Sequence, residues 1–272
     1  MALSRFRRRK GAMMGRGHLA QVLACFGLVL LASCGGAGGY GGGGAGPANA
    51  SPGGIWNGTE SVSGLQVTGL VDESGDAHFI RSDGVQYVGA VLTSGNSISA
   101  NVDGYTPIGT AFPDGSTHGT GTVTGTISAR VSVTANTKFT TDKGTVTTGT
   151  LDLTFNQLYN QASSLATIAG NYMETATGDI VSIDAAGAIT AQDPNSGCVI
   201  NGTVTIINAS YNAYGIQVTY ASCVGAAAVL NGVIFRGLAT LDTNTNPVQT
   251  IAGVTGSAGG VTYAIVYTLN HQ

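Results

Sequence analysis

Charge is what this 272-residue sequence has least of: only 9% of its residues are Asp, Glu, Lys or Arg, against roughly a quarter in ordinary globular domains. Six of the eleven basic residues, Arg5, Arg7, Arg8, Arg9, Lys10 and Arg16, stand close to the N-terminus. Beyond residue 34, five basic side chains (Arg81, Arg130, Lys138, Lys143 and Arg236) face all fourteen acidic ones, a net of −9. A surface so short of cations repels phosphate backbones and anionic headgroups, which argues against nucleic acid as a partner. Long hydrophobic runs are also missing. The one uncharged apolar run, 19–32, is about 14 residues long, short of the roughly 20 that a helix needs to cross hydrocarbon.

Catalytic groups are equally sparse. No G-x-S-x-G elbow occurs, and beyond residue 34 histidine is limited to His78, His118 and His271, so a serine hydrolase is disfavoured. Asp114, Ser116 and His118 gather an acid, a hydroxyl and an imidazole within five residues, but neighbours in a turn seldom aim at one reacting atom. Asp72, Glu73 and Asp76 with His78, and separately Asp242, Asn244 and Asn246, offer oxygens suited to a hard cation. Both sets lack the later bidentate Glu and read as hairpin turns, so no metal site is expected. Glu60 and Glu174 lie in different halves of the chain, and no sequence feature sets their separation, which leaves acid–base catalysis without support. The expectation is a noncatalytic protein with no cofactor.

What is abundant is the vocabulary of strands and turns. From residue 55 onward, short runs alternate apolar with polar residues, as in 121–133 and 201–207, and period two means strands with one buried face. Turn signals punctuate them at Ser82-Asp83-Gly84, Pro113-Asp114-Gly115, Asp142-Lys143-Gly144 and Ala186-Gly187. One segment, 157–168, places Leu158, Ala162, Leu165 and Ile168 at helical spacing, with Gly170 as a stop. It divides two similar halves. Gly54-Ile55-Trp56 matches Gly170-Asn171-Tyr172, Ser74-Gly75-Asp76 matches Ala186-Gly187-Ala188, and Val88-Gly89-Ala90 matches Asn201-Gly202-Thr203, at offsets of 116, 112 and 113 residues. The expected fold is all-β: two antiparallel β-barrel or sandwich units of about eight strands, 55–156 and 170–272, joined by a short helix at 157–169. An eight-stranded barrel is either filled by side chains or holds one small ligand. Tyr211, Tyr214, Tyr220, Phe235, Tyr263 and Tyr267 crowd the second half, as pocket walls or as core.

The basic head and apolar run match a secretory leader, and Leu31-Ala32-Ser33-Cys34 closes that run. This stretch resembles the lipobox of bacterial lipoproteins. The resemblance implies that residues 1–33 are removed and that Cys34 is acylated as the mature N-terminus, anchoring the chain in a membrane. Gly35 replaces the Asp that resembles an inner-membrane retention signal, so the outer membrane is the expected location. Residues 34–54, glycine-rich after Cys34, read as a flexible tether, the twenty residues 35–54 spanning about 25 Å. The last residues, 269–272, lack the terminal aromatic that resembles a transmembrane barrel's final strand, which disfavours that alternative.

Gly54-Ile55-Trp56 resembles the G-x-W element of the first lipocalin strand, and the likeness implies that Arg130 and Arg236, late in each repeat, cover the opening aromatic rings. The wider plan also resembles the transferrin-binding and complement-regulator-binding surface lipoproteins of Gram-negative pathogens, although those families are richly charged and this chain is not. These readings lead to a lipid-anchored envelope protein that binds a small apolar ligand or an envelope partner. The alternative is a structural lipoprotein with filled barrels.

With Cys34 committed to lipid, Cys198 and Cys223 are the only thiols left in the mature chain. An even pair in an exported protein predicts a disulfide; no CxxC spacing or nearby His supports a metal instead. Their midpoint falls at Ser210 and Tyr211, inside a turn-like segment. Ile200, Val204 and Ile206 share the Cys198 face, whereas Ile216, Val218 and Tyr220 lie opposite Cys223. A one-residue bulge near Ala221 or Ser222 would align both core and sulfurs.

Overall fold

A computed structural model describes residues 48–272. Cys34, the expected leader 1–33 and most of the glycine-rich segment lie outside the described residues. The alternating runs form sixteen strands in two sets. The first is β1 (Gly54–Glu60), β2 (Gln66–Val71), β3 (Asp76–Arg81), β4 (Gln86–Ser94), β5 (Ser97–Tyr105), β6 (His118–Ser128), β7 (Ser132–Thr141) and β8 (Val146–Asn156). The second is β9 (Gly170–Glu174), β10 (Ile180–Ile183), β11 (Ala188–Gln192), β12 (Val199–Ile206), β13 (Tyr214–Ala221), β14 (Ile234–Asp242), β15 (Gln249–Ala258) and β16 (Val261–His271). Each set closes into an up-and-down antiparallel barrel. β1 pairs with β8 through Trp56 opposite Phe155, and β9 pairs with β16 through Tyr172 opposite His271. Closure removes the edges that β-rich sequences otherwise expose. Closed barrels thus resolve the barrel-or-sandwich alternative.

The two barrels repeat each other in detail. Asp72 Oδ1 accepts from the backbone N–H groups of Ser74 and Asp76, and Asp184 Oδ1 from those of Ala186 and Ala188. Each turn then needs a left-handed residue, Gly75 (φ +97°) or Gly187 (φ +84°), whose carbonyl accepts from Val91 or Val204 in the next strand but one. A Cβ would stand 2.4 Å from the Val91 oxygen or 2.6 Å from that of Val204, so only glycine fits. The opening aromatics correspond as well. Trp56 Nε1 donates to the Pro52 carbonyl at 3.1 Å and the Tyr172 hydroxyl to that of Ile168 at 2.7 Å, each four residues back.

Two parts of the connecting chain differ from the sequence expectation. Residues 157–168 are not one helix but a 3-10 turn, Gln157–Asn160, and a single helical turn, α1 (Leu165–Ile168). Asn212 supplies the reason. Its backbone N–H bonds the Tyr159 carbonyl at 2.9 Å and its side-chain Nδ2 reaches the Leu158 carbonyl at 3.3 Å, taking acceptors that a continuous helix would use internally. Ser164 then caps the new turn, accepting from Thr167 N–H. The second difference is at the end of the expected tether. Asn49 Oδ1 accepts from Gly95 N–H, Ala50 N–H donates to the Gly95 carbonyl and the Ser51 hydroxyl donates to Glu73. Residues 49–53 are therefore strapped across one end of the first barrel, below Trp56.

Cys198 and Cys223 are bonded, with both sulfurs in the core of the second barrel. β12 and β13 pair in register from Val199 opposite Ala221 to Ile206 opposite Tyr214. A continued ladder would set Cys198 against Ser222; instead Ser222 is the extra residue, turned out at φ +60°. The expected bulge is present because the core faces and the sulfurs can align in no other register.

Gln86 joins the barrels. It points outward from β4, is fully buried, and donates through Nε2 to the Ile265 carbonyl at 2.8 Å, with the Val254 carbonyl at 3.4 Å. Its Oε1 faces His78 Nδ1 at 3.5 Å. Burial, only partly opposed by that contact, lowers the His78 pKa to about 4. Above pH 6.5 the ring is neutral in both folded and unfolded chains. As pH falls from 6.5 towards 4, the unfolded chain takes up a proton that the folded one refuses, so stability drops. Between pH 7 and pH 5 the loss attributable to His78 is expected to reach about 2 kcal/mol. Urea midpoints of wild type and His78→Asn measured across this range check it: equal pH slopes for the two proteins would contradict the assignment.

Candidate functional site

Along the strands of the first barrel, the inward positions carry Trp56, Phe79, Ile98, Val123, Val133 and Leu153, and these enclose an apolar cavity of about 80 Å³. Alternate inward positions are small, Ala100 and Gly121 among them, and that shortage of side-chain volume is why the lumen is not filled. The second barrel encloses only about 30 Å³, because Tyr172, Tyr214, Tyr220 and Phe235 are buried in its core. The hydroxyls of Tyr220 and Tyr267 bond each other. Burial pushes Tyr220 up to about 12 and Tyr267 well above the usual phenol value, so both stay neutral. Of the aromatics that crowd the second half, Tyr214, Tyr220 and Phe235 are core and Tyr263 and Tyr267 pack against it, while Tyr211 packs against the first barrel; the space lies in the half with fewer tyrosines.

The cavity has a closed end and a polar end. Trp56 floors it, edge-on to Phe155 at 5.4 Å, with the 49–53 strap beneath. At the other end the last inward residue of β1, Glu60, meets the last of β3, Arg81, and the first of β4, Tyr87. Arg81 Nη1 donates to Glu60 Oε2 at 3.1 Å and to the Tyr87 hydroxyl at 3.3 Å, while its Nε and Nη2 grip Asp83 in a fork at 2.8 Å each. Ser63 also donates to Glu60 Oε2. Burial pushes Tyr87 up to about 12, so it is a phenol at neutral pH. Phe139 stands edge-on to Tyr87 at 5.4 Å, and Phe112 from the 106–117 loop lies against Phe139 at 5.3 Å. An apolar group fits the body of this site and a hydrogen-bonding group its mouth; among the described residues no nucleophile is paired with a base there. Sequence reading missed this mouth. Its signal was Arg81, one of only five basic residues beyond residue 34, two positions from Phe79 and so on the same inward face.

The residues singled out from the sequence occupy other places. Asp114 accepts from Ser116 and Thr141, which hold its carboxyl well below the usual range. His118 instead sits outside the barrel, with Nδ1 2.9 Å from Asp142 and Nε2 3.3 Å from Asp103, so the three groups of that segment do not converge. Asp72 closes its turn and Glu73 accepts from Ser51, Tyr159 and Arg130, whereas His78 faces the other barrel. Asp242 caps its own turn through Asn244 N–H. Glu174 ends β9 as Glu60 ends β1, but it stands two residues past the opening aromatic rather than four and accepts from Ala176 and Thr177 in its own turn. Among the described residues no group of three or more His, Cys, Asp or Glu is placed to hold a metal. The arginines depart from what the lipocalin likeness implied. Arg130 lies over Tyr211 at 4.5 Å, which stacks on Tyr159, and it ion-pairs with Glu73. Arg236 is exposed on β14, opposite Gln217 and Thr255. Neither covers an opening aromatic, because both side chains leave the barrel wall outward or beyond its end. No protein-family model and no curated protein matches the chain.

Proposed function

We propose that this chain is a noncatalytic, lipid-anchored protein of the cell envelope, tethered to the outer membrane through Cys34, whose first barrel binds a small apolar ligand. The contrast between the two lumens carries the ligand reading: one barrel is filled by tyrosines and the other leaves an apolar space ending in a polar mouth. The filled second barrel supports a scaffolding role for that half, held to the first through Gln86 and Asn212. The anchor reading rests on the leader and on the lipobox resemblance. A noncatalytic role is supported by the placement of His118, which pairs with Asp142 and Asp103 away from the bonded Asp114 and Ser116.

Native mass spectrometry of the protein extracted from its own membrane tests both parts. The expected species begins at Cys34, carries acyl chains there and retains a small apolar adduct. A chain without lipid would overturn the anchor, and an acylated chain that never carries an adduct would overturn the ligand reading in favour of a purely structural lipoprotein.

A further inference from the structure

We propose that the first barrel selects apolar molecules bearing a hydroxyl head and discriminates against those bearing a carboxylate, because its mouth pairs an unused acceptor with an unused donor under an excess of negative charge. The inference rests on the ligand-binding reading above and names the class of ligand.

Glu60 Oε2 already accepts from Arg81 and Ser63, while Glu60 Oε1 accepts no hydrogen bond among the described residues. The Tyr87 oxygen accepts from Arg81 and, among the described residues, its O–H donates to no partner. Both residues line the cavity. A ligand hydroxyl is both donor and acceptor, so it can donate to Glu60 Oε1 and accept from Tyr87 with no group left unmatched. A carboxylate has acceptors only. It can take the Tyr87 hydrogen, but it then faces the Glu60 charge with no proton between them.

Arg81 does not reverse this preference. Its fork is held by Asp83 and its remaining Nη1 is shared between Glu60 and Tyr87, so it has little left to offer an anion. At the mouth one guanidinium stands against two carboxylates; Lys138 also borders the cavity, but it is exposed and lines the outer surface as well. In a partly desolvated mouth, like charges a few ångströms apart repel, and the discrimination is set at about tenfold or more, which corresponds to about 1.4 kcal/mol.

Trp56 is the only tryptophan of the chain and forms the cavity floor, so its fluorescence reports on the lumen directly. The full-length protein, kept soluble in amphipol, is titrated at pH 8 with 1-hexanol and with hexanoate. Hexanol is expected to perturb Trp56 saturably, with hexanoate binding about tenfold or more weakly. In Glu60→Gln the gap should close to about threefold, since the charge excess is gone. If that variant does not fold, Tyr87→Phe takes its place, and hexanol should bind it about tenfold more weakly for loss of the donor. Hexanoate binding wild type as tightly as hexanol overturns the hydroxyl preference and leaves the ligand reading standing. If neither compound perturbs Trp56, the ligand reading itself falls.

Discussion

Replacing Trp56 with alanine is expected to destabilise the protein by about 3–5 kcal/mol, the range for removing a large buried aromatic side chain. Trp56 is 1% exposed and ties three things together. Its ring packs edge-on against Phe155 across the β1–β8 seam that closes the barrel. Its Nε1 holds the strap through the Pro52 carbonyl. It is also the floor of a lumen that already contains empty space, so the void left by its removal joins an existing cavity and the surrounding strands gain little by collapsing into it. Urea unfolding followed by circular dichroism measures the loss. Trp56→Phe keeps most of the packing and forfeits the hydrogen bond, and is expected to cost about 1–2 kcal/mol. A loss below about 1 kcal/mol in the alanine variant would show that the seam closes without the indole.

Removing the cross-link between Cys198 and Cys223 is expected to cost about 3.5 kcal/mol. The bond closes a loop with a sequence separation of 25, and the chain-entropy relation gives a value of about that size for a loop of this length. The double variant Cys198→Ala, Cys223→Ala isolates the cross-link, because both sulfurs lie in the apolar core and serine would add the separate cost of buried hydroxyls. The effect should be confined to the second barrel at first, since the two cysteines stand at the open end of the β12–β13 hairpin. Comparing urea midpoints of the oxidised wild type and the double variant checks it. Equal midpoints would mean that the hairpin is held by its ladder and core alone.

Much of the architecture was legible from local chemistry. Alternation with period two marks strands because a pleated strand sends successive side chains to opposite faces, and this holds whatever the neighbours do. The Asp-x-x-Gly turns were equally readable, since an aspartate that caps its own backbone and a glycine at positive φ need no distant partner. Even the need for a bulge near Ala221 or Ser222 followed from counting, since two cysteines and two apolar faces cannot both align in an unbroken ladder; the structure places it at Ser222. The helix at 157–168 was misread for the opposite reason. Its spacing is helical, but Asn212, some fifty residues away, takes the carbonyls that the helix needed.

The sequence by itself determined the fold class, the repeat and the cysteine pairing, all of which depend on neighbours along the chain or on parity within one hairpin. Only the tertiary structure decided which barrel is hollow, because that depends on the summed volume of inward side chains from eight strands. By that sum the tyrosine-rich half keeps only about 30 Å³ of space and the half with Ala100 and Gly121 about 80 Å³. Only the tertiary structure brought Glu60, Arg81 and Tyr87 to one mouth. They come from three strands, and barrel closure with its strand tilt sets which of their ends meet.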